Sequence, residues 1–188
     1  MKKTIISLTS ATLALGFLAC GGSKSTPPPV VYATGLDYTD PSGTGYRFVK
    51  DAASTPTKLV LALRGPASET GRGVSFSITS DATKAAFAKV GQADSEYAQN
   101  MAFELGATDP KLFKGVVDGN ALRVSIAQKG ATATAKPLGD ALVRIALEIK
   151  PNIVQNTNIT FTASDAKALP ASGGSQPITI AVGTLVAK

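Results

Sequence analysis

The chain has no histidine, no tryptophan and a single cysteine, and aromatic residues make up only 6% of its 188 positions. Without an imidazole there is no Ser-His-Asp triad, no histidine base and no histidine metal ligand. One thiol excludes a cysteine-type zinc site and any disulfide within the chain. Charge is sparse as well, at 17%, and no Lys/Arg cluster is interleaved with aromatics, which argues against nucleic acid as a partner. No apolar run reaches the ~20 residues that span a bilayer. What remains is a chain that is 44% hydrophobic with 18 glycines and 11 prolines, no internal repeat and no common catalytic constellation. Only carboxylate chemistry stays formally open to it.

The first residues have the layout of an export signal. Lys2 and Lys3 supply positive charge, and residues 5–18 supply an apolar stretch of the usual ~7–15 residues, broken by Thr and Ser. This reads as a cleaved leader and not a permanent transmembrane helix. The lone cysteine, Cys20, follows directly. Phe17-Leu18-Ala19-Cys20 resembles the lipobox of bacterial lipoproteins: Ala19 and Cys20 match, Phe17 stands where Leu is usual, and Leu18 is bulkier than the common Ala or Ser. The resemblance implies cleavage before Cys20, a diacylglyceryl thioether on its sulfur and acylation of the new amino group, with no other cofactor. One buried acyl chain holds marginally and two or more hold stably, at ~0.8 kcal/mol per CH₂. The alternative is an ordinary secretory signal cut nearby, with Cys20 incidental. Gly21 after the cysteine implies, by the sorting rule of enteric lipoproteins, the outer membrane of a diderm host.

The expected organisation is therefore a signal peptide over residues 1–19, a lipidated cysteine and Gly/Ser/Pro tether over 20–29, and one domain over 30–188. Removing the leader leaves 188 − 19 = 169 residues and, without Lys2 and Lys3, 17 basic against 13 acidic groups, a net +4. That length is enough for one sizeable core, which must stabilise the fold without covalent help.

From Val30 onward the pattern has period two, the mark of strands with one buried face. Leu59, Leu61 and Leu63 alternate with Lys58, Val60 and Ala62, and Val74, Phe76 and Ile78 alternate with serines and Thr79. The same alternation marks Met101-Phe103-Leu105, Leu122-Val124-Ile126, Val143-Ile145-Leu147-Ile149, Ile159-Phe161-Ala163 and Ile178-Ile180-Val182. Weaker strands are expected at 30–38 and 46–50. Asp118-Gly119-Asn120 is a tight-turn signal. Residues 80–90 form the one expected helical piece, with Asp81 as its cap and three alanines favouring a helix. About nine strands with one short helical segment predict an antiparallel β-sandwich.

The order of these segments, with Leu122-Arg123-Val124-Ser125-Ile126, the run from Gly139 through Val143-Arg144-Ile145 to Lys150, a Ser/Thr-rich strand ending at Asp165 and a closing Gly183-Thr184-Leu185-Val186, resembles the cohesins and related carbohydrate-binding-module-like sandwiches. The resemblance covers about residues 58–188. It departs from the family at Leu147, where Phe is frequent, and at Asp81-Ala82, where Asp-Pro is usual. It implies a nine-stranded jelly-roll sandwich that binds a dockerin domain on a sheet face.

Candidate sites are few. Tyr32, Tyr38 and Tyr46, with Tyr97, are the rings on which a sugar would stack, although tyrosines also fit strands and sandwich edges. Asp37 with Asp40, and Asp94 with Glu96, lack the density of oxygens that calcium needs, so turn duty and no metal are expected. Glu104 and Glu148 read as outward strand residues paired with Arg123, Arg144 or Lys150, not as a catalytic pair. Arg123, Ser125, Arg144, Ala146, Glu148, Thr160 and Thr162 make a flat outward surface for a protein partner, or else a plain solvated face. The function expected is a membrane-anchored, non-catalytic protein-binding module of the cell envelope. The alternatives are an envelope polysaccharide-binding module and a purely structural lipoprotein.

Overall fold

The structure is a computed structural model, and it describes residues 28–91, 95–106, 112–128 and 134–188. Cys20 and the leader lie outside the described residues. Fourteen strands, and no helix, make up the regular structure of the described residues. They are β1 (Leu36–Thr39), β2 (Arg47–Lys50), β3 (Lys58–Arg64), β4 (Thr70–Ser80), β5 (Ala85–Ala88), β6 (Ala98–Asn100) and β7 (Phe113–Asp118). There follow β8 (Ala121–Ala127), β9 (Lys136–Pro137), β10 (Val143–Ile149), β11 (Asn158–Ile159), β12 (Phe161–Pro170), β13 (Gln176–Pro177) and β14 (Thr184–Ala187).

Two antiparallel sheets face each other. One runs β2-β3-β10-β5, with β6 also on β10; the other runs β13-β12-β4-β8-β7, with β9 on β4. A small third sheet, β1-β14-β11, joins them. The alternating apolar residues are the reason they pack. Phe48, Leu61, Leu63, Ile145 and Leu147 from one sheet meet Phe76, Ile78, Leu122, Ile126 and Phe161 from the other in a single core. Phe48 meets Phe76 edge-on at 5.4 Å between ring centroids, and Phe161 at 6.3 Å. Such edge-to-face pairs add to the area-driven gain of burying each ring.

The expected sandwich is present, with more and shorter strands than nine and without the helix. At 80–90 Asp81 accepts bonds from the Thr83 amide (3.0 Å) and hydroxyl (2.6 Å), and its carbonyl takes the amides of Lys84 and Ala85. That is one turn, after which β5 pairs with the end of β10, Ala85 facing Ile149. Unsatisfied ladder groups on β10 outweigh the weak helix propensity of the alanines. The run 101–105 is not a strand either. The Asn100 side chain bonds both the carbonyl (2.6 Å) and the amide (3.0 Å) of Phe103, ending β6 and turning Phe103 into the core. Residues 178–182 hold only an isolated parallel bridge from Ala181 to Arg47.

One strand, β7, and the second half of another, β12, were hidden in the pattern. In β7 the inward position between Phe113 and Val117 is Gly115, where an added Cβ would meet Ser95 Oγ at 2.4 Å and Ala98 Cβ at 2.8 Å. In β12 a bulge lies between Ser164 and Lys167, with Asp165 in the left-handed region at φ 49°. The extra residue shifts the inward parity from Phe161 to Ala166 and Ala168, so the second half of the strand loses its alternation with the first.

Candidate interaction surface

The outer face of β12-β4-β8-β7 is built by register. Asp118, Ala121, Thr79 and Thr162 form one cross-strand row. Val116, Arg123, Ser77 and Ser164 form the next, and Lys114, Ser125, Ser75 and Lys167 the third. Six of these positions carry hydroxyls, because the period that sends Val74, Phe76 and Ile78 inward sends Ser75, Ser77 and Thr79 outward. Small side chains keep the face flat. Thr79 and Thr162 share a hydrogen bond of 2.6 Å, and Arg123 reaches Asp118 at 3.4 Å. Val116 is an apolar side chain 41% exposed among them. The tight turn Asp118-Gly119-Asn120 closes the β7–β8 hairpin with Gly119 at φ 62°, the first loop position where a two-residue hairpin calls for glycine.

The opposite sheet presents a different outer surface. Val60, Ala62 and Ala146 are buried there, with the chain after β2 lying over them. The Asp51 amide donates to the Val60 carbonyl (2.9 Å), Ser54 Oγ exchanges bonds with the Val60 backbone, and the Asp51 carboxylate accepts from Arg144 Nε at 2.8 Å.

The residues expected to share one flat surface are thus divided. Arg123, Ser125 and Thr162 lie together on β8 and β12, whereas Arg144, Ala146 and Glu148 belong to β10 on the other sheet. Thr160 falls in the break between β11 and β12. Arg144 is tied to Asp51, and Ala146 is fully buried. Two of the tyrosines are core residues. Tyr38 packs edge-on against Phe161 at 6.1 Å and Tyr46 packs against Gly65, so neither ring has a face free for a sugar. Burial pushes the Tyr38 hydroxyl up to about 12 and that of Tyr46 in the same direction. Tyr32 is exposed and bridges to Val154.

The acidic residues serve as local partners. Asp37 accepts from Lys50 Nζ at 2.7 Å, which lowers its pKa, and Asp40 accepts from the Lys50 amide at 2.7 Å. Glu96 pairs with Lys89 at 2.6 Å; Asp94 lies outside the described residues. Glu104 pairs with Lys136, and Glu148 lies 3.9 Å from Lys58, in place of the expected Arg123, Arg144 or Lys150. Among the described residues no group of three or more His, Cys, Asp or Glu is placed to hold a metal ion, and no helix is long and apolar enough to cross a membrane. Sequence reasoning missed Val116, Lys114, Ser75 and Ser77 as members of the face. The serines were legible as outward positions, but their strand neighbours follow only from the pairing.

No family model and no curated protein matches the sequence. Solved structures do match. The sixth cohesin of scaffoldin B from Acetivibrio cellulolyticus, crystallised in complex with a Cel5 dockerin, is similar at a TM-score of 0.53 and 11% identity, covering 76% of this chain and 97% of that one. A chain of the CaDoc0917–CaCohA2 complex is similar at 0.58 and 9% identity, over 77% and 99%. The second type II cohesin of the adaptor scaffoldin ScaA from A. cellulolyticus is similar at 0.53 and 12% identity, over 77% and 90%. The chain has a cohesin-like β-sandwich fold.

Proposed function

We propose that this protein is a non-catalytic binding module for another protein, held in the cell envelope by a lipid on Cys20, and that the partner docks on the outer face of β12-β4-β8-β7. The observation that carries the reading is the face itself: flat, rich in hydroxyls that have donors and acceptors to spare, and bordered on its edge strand by the exposed Val116. Hydroxyl rows give directional bonds at little cost in side-chain entropy, and Val116 with the Lys114 and Arg123 stems gives apolar contact. Cohesins of the same fold have been crystallised with dockerins, so a dockerin-like domain is the partner class to try first. The net positive balance of the chain suits an acidic partner. The lipid anchor rests on the Cys20 leader and places the partner in the envelope, at the outer membrane in a diderm host.

The test has two arms. Intact mass of the wild type and of Cys20→Ala, with membrane fractionation of both, reports the anchor. A photo-cross-linker placed at Val116, or at Ala86 on the other sheet, captures the partner in intact envelope. The purified partner is then titrated with Ser77→Arg/Ser125→Arg and with Ala86→Arg. The face variant should weaken binding at least ~10-fold, ~1.4 kcal/mol, and Ala86→Arg should leave it unchanged. Cross-links confined to Ala86, or equal affinity of the two variants, would remove this face from the reading.

A further inference from the structure

Few large apolar side chains are exposed among the described residues, and four of them meet at one end of the domain. Val30, Val31, Tyr32 and Val154 are 61%, 56%, 54% and 47% exposed. They are brought together by a short antiparallel contact. The Ala33 amide donates to the Ile153 carbonyl (2.8 Å), the Gln155 amide donates to the Val31 carbonyl (2.9 Å), and Tyr32 pairs with Val154. Ala33 and Ile153 pack against the core, so the alternation turns Tyr32 and Val154 outward side by side, with Val30 on their side and Val31 on the opposite one. Scattered exposed valines are ordinary, but a contiguous patch marks an interaction surface.

Three further facts say what covers it. Val30 is where the domain receives the chain from Cys20, ten residues earlier, a stretch that reaches at most ~36 Å when fully extended. Residues 28–35 and 150–158, which form this end, contain no Asp or Glu and one cation, Lys150. Their polar rim is made of amides, Asn152, Gln155 and Asn156, and the backbone of Lys188 bonds Thr34 and Gly35 beside them. Tyr32 is the kind of ring, apolar with a hydroxyl tip, that settles at headgroup level.

We propose that this end of the domain seats on the lipid surface, with Val30, Tyr32 and Val154 entering the headgroup–acyl boundary. The proposal rests on the anchor proposed at Cys20. The contact need not be strong, because a tether of this reach makes it an intramolecular event at high effective concentration. None of the positions in the three rows of the hydroxyl face belongs to this patch.

The chain has no tryptophan, so Tyr32→Trp supplies a single fluorescent reporter within the patch, and Val116→Trp supplies a distal one in a separate chain. The full chain is coupled through Cys20, its only thiol, to a maleimide-bearing phospholipid. It is then incorporated in vesicles of phosphatidylethanolamine and phosphatidylglycerol. This supplies the anchor whether or not the host does, so failure of the seat is distinct from failure of lipidation. Emission from the Tyr32→Trp chain should shift to the blue and lose iodide quenching on the vesicles, while that from the Val116→Trp chain stays unchanged. Adding Val30→Ser/Val154→Ser to the Tyr32→Trp chain should abolish most of the shift, with circular dichroism confirming the fold. Equal shifts of both reporters, or none at position 32, overturn the proposal. A blue shift at position 32 that grows with protein concentration in the uncoupled chain, without vesicles, assigns the patch to a second copy and overturns it as well.

Discussion

Replacing Tyr38 by Phe tests the inner logic of the fold, because it removes one oxygen and leaves the ring in place. Tyr38 is 4% exposed; its hydroxyl accepts from the Gly183 amide at 2.6 Å and donates to the Phe48 carbonyl at 3.3 Å. It thereby ties β1, the edge of β2 and the approach to β14. Gly183 has no room to adjust, since an added Cβ there would lie 1.8 Å from the Thr39 carbonyl oxygen. The variant strands the Gly183 amide, at a cost of about 1–3 kcal/mol. A second effect depends on pH. Burial raises the Tyr38 pKa from its ordinary 10.0 to about 12. Between those values the folded state keeps a proton that the unfolded state has released. The stability contribution is therefore complete below the unfolded pKa and is lost as pH rises through the folded one. A two-unit shift corresponds to about 3 kcal/mol in all, of which about half is gone near pH 11. Urea unfolding followed by circular dichroism at about pH 8 and about pH 11 separates the two effects. The wild type should exceed Tyr38→Phe by about 1–3 kcal/mol at the lower pH, and the gap should shrink by about 1–2 kcal/mol at the higher. A gap that does not change with pH would refute the reasoning, because every other ionisable group is common to both proteins.

Asp51→Ala should cost about 2–3 kcal/mol in urea unfolding, because it leaves the Arg144 guanidinium without a carboxylate that is itself only 7% exposed; the Asp51→Ala/Arg144→Ala double variant should recover part of the loss. Gly73→Ala should destabilise by about 1–3 kcal/mol, since its Cβ would lie 2.5 Å from the Ile126 carbonyl oxygen and 2.8 Å from Ala127 Cα, and backbone cannot give way as a side-chain tip does. Leu61→Ala, in the middle of the sandwich, should lose about 2–5 kcal/mol by the same assay. Asp81, held at about 2 by its bonds from Thr83 and Lys84, contributes stability above the ordinary carboxylate range that is lost as pH falls through about 2; Asp81→Ala should flatten the acid limb of the unfolding curve.

Local pattern is enough to settle the class of fold and the identity of most of its core. Alternation at 58–63, 74–79, 122–126 and 143–149 names β3, β4, β8 and β10, because a period of two has only one way to bury its apolar side. The Asp118-Gly119-Asn120 hairpin is equally plain, since its chemistry is local. Other features follow only from long-range packing. The alanine-rich run 85–88 becomes a strand because β10 offers an unpaired edge, and β12 hides its second half behind a parity change at Asp165. Tyr38 and Tyr46 go inside because their neighbours leave them no surface. Arg123 and Arg144 both read as outward basic residues on alternating strands, yet they stand on opposite sheets, one paired with Asp118 and the other clamped by Asp51. A face of a sheet is a product of strand order, and strand order is set by contacts between residues distant in the chain, which no local pattern records.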